Sequence, residues 1–223
     1  MNCTMKSKGR GNAEWHMRMY HSLVKHFGEL NWWPGETPFE VCVGAILTQN
    51  TAWSNVEKAI AKLKAEDLLD PLRMDRIPLE ELAQHIKSSG YYNQKSKRLK
   101  GFATFLIDNY GGKIENMRPF ATKRIRRELL ELNGIGPETA DSILLYALNK
   151  RVFVIDAYTK RIFSRKGIFP EDIDYENARA HFEKILPRKV RLYNEFHAQI
   201  VYLGKDYCRK SRPKCESCPI QML

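Results

Sequence analysis

No apolar run in this chain approaches the roughly 20 residues that a membrane-spanning helix needs. The opening stretch, MNCTMKSKGRGNAEW, is basic but lacks an apolar core, so it reads as a disordered tail of a cytosolic protein, or else a loose mitochondrial-style leader, rather than a secretory signal. Acidic charge is scarce: 26 Asp and Glu face 37 Lys and Arg, leaving a net charge of +11 and a pI near 9.4. That imbalance suits a polyanionic partner, nucleic acid first. Cysteine is scarce too, and five cysteines in a reducing compartment exclude a disulfide scaffold. Strand patterning is almost missing. RVFVID (151–156) is the one strand-like run, too isolated for a sheet. No repeat or low-complexity segment interrupts the chain.

What is present is helical spacing. It predicts helices over 13–28, 39–47, 52–64, 78–87, 94–110, 121–132, 137–149, 174–186 and 189–203. One more is opened by Asp156 and stopped by Gly167. Most connections are short and carry Gly, Pro or Asn, and the expected fold class is all-α.

The most specific local pattern is LLELNGIGPETADSILLYAL (129–148). Leu129 and Leu132 end one helix, and Pro137 fits the first position of the next. Between them, Gly134 and Gly136 are expected to permit positive φ and close backbone approach. Such a turn points N–H groups outward, a natural seat for one phosphate. A lone G-x-G would be only a helix connection, whereas L-x-x-L-x-G-I-G-x-x-T-A is far more specific.

The hairpin is joined by PFEVCVGAILTQNT, SGYYNQKSKRL, VIDAYTKRI and three terminal cysteines, in that order over about residues 38–218. Together they resemble the helix-hairpin-helix DNA glycosylases of the endonuclease III superfamily. The resemblance implies a six-helix barrel over 37–149 and a second helical domain built from 1–36 and 150–223. It also implies an active site in the cleft between the domains, and a monomer acting on double-stranded DNA, in the cytoplasm or on a prokaryotic nucleoid. Such enzymes flip a damaged nucleotide out of the duplex and cut its N-glycosidic bond.

Asp156 stands where this family places its catalytic aspartate; it is equally suited to cap a helix. A carboxylate beside C1′ stabilises the positive charge that builds on the sugar, or orients water. Members that also nick the backbone carry a hairpin lysine that forms a Schiff base. Glu138 occupies that place here, in GIGPE, and a carboxylate cannot form an imine. The implied enzyme is monofunctional. Glu138 either orients water or simply suits a helix's first turn.

WWP (32–34), followed by LTQNT and an aromatic two residues on, resembles the endonuclease III-type 3-methyladenine DNA glycosylases in particular. By that resemblance Trp32 and Trp53 sandwich the flipped base and Pro34 lines the pocket wall. Paired tryptophans also serve as core. A pocket of indole faces suits a cationic base, and N3-alkylated adenine carries a positive charge.

Gln49 and Asn50 match the loop that fills the vacated stack, and Tyr91 matches the second wedge. The bland readings are a helix cap and a surface turn. Lys95, Lys97, Arg98 and Lys100 follow and are expected to contact phosphates. C-x6-C-x2-C, formed by Cys208, Cys215 and Cys218, resembles the family's iron–sulfur signature, whose fourth cysteine would fall one position past Leu223. Three readings stay open. The chain extends to that fourth ligand; a [4Fe–4S] cluster is completed by Cys3 or an external ligand; or the site is empty or holds zinc. Arg209, Lys210, Arg212 and Lys214 ride the loop between the first two cysteines and are expected to face DNA. Rival functions are a mismatch or oxidised-pyrimidine glycosylase of the same superfamily, or a non-catalytic binder of damaged DNA.

Overall fold

The computed structural model describes residues 11–32 and 35–223. Cys3, Trp33 and Pro34 lie outside them. The described residues are helical, with no strand among them, so the fold is all-α. The chain divides into two compact units, one of Met1–Trp32 with Arg151–Leu223 and one of Trp33–Lys150.

The second unit is built around α2 (Pro38–Leu47), whose sequence is apolar on nearly every side and is buried accordingly. Thr37 caps it, accepting from the Glu40 amide at 3.1 Å, while Glu40 reaches back to the Glu36 amide at 3.0 Å. Around it stand α3 (Trp53–Ala65), α4 (Pro71–Arg76), α5 (Leu79–His85), α6 (Tyr92–Tyr110), α7 (Thr122–Leu130) and α8 (Pro137–Ser142). Short 3-10 turns cover Lys87–Ser89 and Ile114–Met117. α8 widens into a π turn over Ile143–Ala147, where every side chain is buried. The helix α4 is absent from the sequence expectations. Asp70 caps it and Pro71 starts it, but six residues are too few for an amphipathic period to show.

In the first unit, α1 (Ala13–Phe27), α9 (Ala157–Arg165), α10 (Tyr175–Ile185) and α11 (Val190–Asp206) enclose an aromatic core. Phe153 stacks on Phe182 at 4.1 Å, and Phe163 meets Phe182 edge-on at 4.8 Å. The strand-like run needs no strand partner. Glu183 accepts from the Phe153 amide at 3.0 Å and the Tyr175 hydroxyl from the Ile155 amide at 3.4 Å. Side chains of α10 thus satisfy buried backbone donors, and an apolar irregular segment runs directly to Asp156.

Candidate active site

In the first unit, Asp156 is the N-cap of α9. Its Oδ1 accepts from the Thr159 amide at 2.7 Å and from the Thr159 hydroxyl at 2.8 Å. Its Oδ2 faces Nε2 of His197, on α11, at 3.7 Å. The Asp156 side chain keeps 12% of its surface exposed and that of His197 only 6%. Burial lowers the His197 pKa, against the opposing pull of the Asp156 charge. The neutral ring therefore leaves the carboxylate charge uncancelled. Oδ1 takes both Thr159 donors, which fix the group, while Oδ2 faces the imidazole.

The Trp32 ring lies 6.2 Å from that of His197, tilted by 31°. The segment before it is held from α11. Glu195 accepts from the Leu30 amide at 2.8 Å and the Asn31 amide at 3.1 Å, and Gln199 donates to the Gly28 carbonyl at 2.7 Å. Asp156, His197 and Trp32 thus share one neighbourhood.

In the second unit, Trp53 is the first residue of α3 and half-buried. Its Nε1–H donates to Glu57 at 2.9 Å. The far edge of this indole lies beside Gly44, where a built Cβ would come within ordinary van der Waals contact at 3.4 Å.

The proposed wedges separate. Asn50 and Tyr91 are exposed and hold left-handed backbone, with φ of 54° and 47°, a conformation non-glycine residues adopt reluctantly. Gln49 does not stand free for insertion. Its amide donates to the Gly134 carbonyl at 3.1 Å and the Thr139 hydroxyl at 2.9 Å, and accepts from Arg98. It links the 48–51 loop to the hairpin instead.

Lys95 is a second correction. It is 1% exposed, and its Nζ donates to the carbonyls of Leu47 and Ser89, each at 2.7 Å. The carbonyls at the C-terminus of α2 and in the 87–89 turn attract the ammonium more than a distant phosphate can. Burial, then the Arg98 charge, lowers its pKa to about 8. That shift does not mark a nucleophile, because the amine is enclosed. Lys100 is similarly spent on the carbonyls of Asp75 and Ile77, which leaves Lys97 as the exposed member of the run.

The two hairpin glycines also differ. Gly134 has φ +81°, and a Cβ there would collide with the Arg98 stem. Gly136 is not in the positive-φ region expected of it. It caps α8 with φ −88°, and a Cβ there would meet nothing within 4 Å. Glu138 is exposed in the first turn of α8.

At the C-terminus, Cys208, Cys215 and Cys218 line one pocket with Ile162, Leu203, Ile220, Arg165 and Lys166. Burial is the first cause that raises the Cys218 pKa, and the neighbouring Cys208 and Cys215 thiols add to it. Among the described residues no group of three His, Cys, Asp or Glu side chains is arranged to grip a metal ion as it stands. The donor chemistry nonetheless suits an anionic cluster, with three soft thiols beside two cations. The loop is also held without metal. Arg161 donates to the Cys208 carbonyl at 2.8 Å, Arg165 to the Arg209 carbonyl at 2.7 Å, and Lys166 to the Ile220 carbonyl at 2.7 Å. Arg209, Lys210, Arg212 and Lys214 all point to solvent.

Sequence reasoning missed Thr159, His197, Glu195 and Glu57, and it gave Arg98 to phosphate where the structure pairs it with Gln49. Thr159 was findable, three residues past a capping aspartate. His197 carries no local signal.

Residues 43–188 match the family described as HhH-GPD superfamily base excision DNA repair protein. A Methanocaldococcus jannaschii protein named "Putative DNA repair glycosylase MJ1434" is 48% identical over 92% of this chain and 93% of its own length. The crystal structure of an H. pylori 3-methyladenine DNA glycosylase bound to 1,N6-ethenoadenine superposes with a TM-score of 0.74 at 31% identity, over 85% of this chain and 97% of that one. A non-covalent endonuclease III–DNA complex gives 0.81 at 24% identity, over 98% and 95%, which speaks for the fold alone.

Proposed function

Since the chain belongs to the HhH-GPD superfamily of base excision DNA repair proteins and is a DNA glycosylase, we propose that it hydrolyses the N-glycosidic bond of alkylated purines, 3-methyladenine first, and leaves the backbone uncut. The observation that carries the reading is the Asp156 carboxylate, fixed through Oδ1 by Thr159 with Oδ2 turned to a neutral imidazole. Such a group stabilises an oxocarbenium-like sugar or orients the attacking water through Oδ2. Glu138 takes the place of the lyase lysine and forms no imine, so the base is released and the abasic sugar stays in an uncut strand. An alkylated, cationic purine leaves readily and needs little acid assistance, which suits a site of indoles and one carboxylate.

On this reading Trp32 and Trp53 hold the flipped base, Asn50 and Tyr91 fill the vacated stack, and the Gly134–Gly136 turn meets a phosphate. Cys208, Cys215 and Cys218 would hold an iron–sulfur cluster that cross-links the terminal loop. Iron and sulfide in anaerobically purified protein support that assignment; a colourless, iron-free protein ends it.

Methylated duplex DNA tests the activity. The expected result is free 3-methyladenine without strand scission, with turnover abolished and DNA binding retained in Asp156→Asn. Release of only uracil, thymine or oxidised bases overturns the alkylpurine reading. Borohydride trapping of a protein–DNA adduct overturns the monofunctional one. Binding without any release leaves a damaged-DNA binder.

A further inference from the structure

The polar edge of Trp53, one of the two proposed base-stacking residues, is tied to a charge. Its indole N–H donates to Glu57 Oε1 at 2.9 Å, one turn along α3, and its opposite edge rests over the bare Cα of Gly44. The hydrogen bond holds the ring at its polar end, and the far edge lies beside a position without a side chain. A tryptophan needs no such partner at a half-exposed site, because water satisfies its N–H equally well. The carboxylate therefore contributes something water does not. It fixes two side-chain torsions, and it adds a full negative charge at the rim of the π face. An acceptor on the indole N–H also pushes electron density into the ring, which deepens the negative potential that attracts cations.

We propose that Glu57 makes Trp53 a cation-selective stacking platform and so sets the preference of this chain for positively charged alkylated purines over neutral bases. The proposal rests on the reading that Trp53 stacks on the base. It gives the specificity to a residue that touches the indole rather than the base, so Glu57 is a positioning and charge-setting residue. A neutral base gains from Trp53 chiefly through dispersion and buried area, which depend on the ring's position and not on the charge of Glu57. A cationic base gains in addition from the ring and from the carboxylate. Because Glu57 is solvent-exposed, the added preference falls as ionic strength rises.

The test is a binding measurement that needs no turnover. The Trp53 indole N–H resonance of isotope-labelled protein is followed while 3,9-dimethyladeninium, a fixed cation, or neutral 9-methyladenine is added. The wild-type protein is expected to prefer the cation by about tenfold. Glu57→Gln keeps an acceptor for the indole and loses the charge. It should bind the neutral base as before and lose most of the preference for the cation. Glu57→Leu removes the acceptor as well and should weaken both ligands. An unchanged ratio in Glu57→Gln overturns the proposal, as does a wild-type protein that binds neither ligand or shows no preference. Failure of the alkylpurine reading shows separately, as no 3-methyladenine released from methylated duplex by a protein whose Trp53 still prefers the cation.

Discussion

His16 touches none of the proposed chemistry, yet it ties stability to pH. Its Nδ1 lies 2.8 Å from the Asn12 carbonyl, which accepts and so assigns the proton to that nitrogen. Nε2 must then accept from His181, 3.2 Å away. Both rings are held neutral. Burial, only partly opposed by the Asn12 bond, lowers the His16 pKa from 6.5 to about 4, and burial lowers that of His181. The folded pKa lies below the unfolded value, so the unfolded chain takes up the proton first. Stability is complete above pH 6.5 and falls as pH drops toward 4, by at most about 3 kcal/mol for His16 alone. Denaturant titrations across that range should show the loss, and His16→Phe should flatten it. Parallel curves for the two proteins would remove His16 from the account.

Thr159 carries a second prediction at this scale. It supplies both donors to Asp156 Oδ1, and Thr159→Val removes one. A lost hydrogen bond to a charged group lowers kcat about tenfold with KM unchanged, and Thr159→Ser should restore it. A proportional rise in KM would instead make Thr159 a part of the binding surface. Asp156 is legible in the sequence, and its missed partner Thr159 was findable, because capping has local grammar. Lys95 is not, because a lysine among lysines reads as surface until the carbonyls of Leu47 and Ser89 converge on it from two separate elements.

The elements were mostly readable for the same reason. Asn12, Thr37, Asp156 and Asp174 each cap the helix that the periodicity announces. The π turn over Ile143–Ala147 was not, since a continuous apolar run looks alike in α and π windings. Nor were the ties between hairpin helices. Arg126 on α7 grips the fully buried Asp141 on α8 with two bonds, at 2.7 and 3.2 Å. Arg126→Met removes both of these bonds from a buried carboxylate and should cost about 3 kcal/mol in a thermal or urea melt, because the charge keeps its desolvation penalty with less to offset it. Gly134→Ala strains the same hairpin differently, through its φ of +81° and the Arg98 stem. Affinity for DNA should fall more than fold stability in that variant, since the turn, not the core, is displaced.

Across the whole molecule the excess positive charge is not spread evenly in purpose. Lys95, Lys100, Arg126, Arg161, Arg165 and Lys166 are committed to carbonyls or a carboxylate of the chain itself. The net charge of +11 therefore overstates what a duplex can meet. The four exposed cations between Cys208 and Cys215 are a different population, carried on a loop whose carbonyls α9 holds from below. The same α9 begins at Asp156, so one nine-residue helix links the proposed catalytic carboxylate to the proposed phosphate-binding loop. If those four residues meet phosphates, each releases counterions on binding. Replacing Arg209, Lys210, Arg212 and Lys214 with serine should then reduce the slope of log affinity against log salt by about 0.9 for each phosphate no longer neutralised. Turnover at saturating duplex should be unchanged, because Thr159 still fixes Asp156. An unchanged slope would mean that the duplex lies elsewhere and that this loop is held for a reason unrelated to DNA.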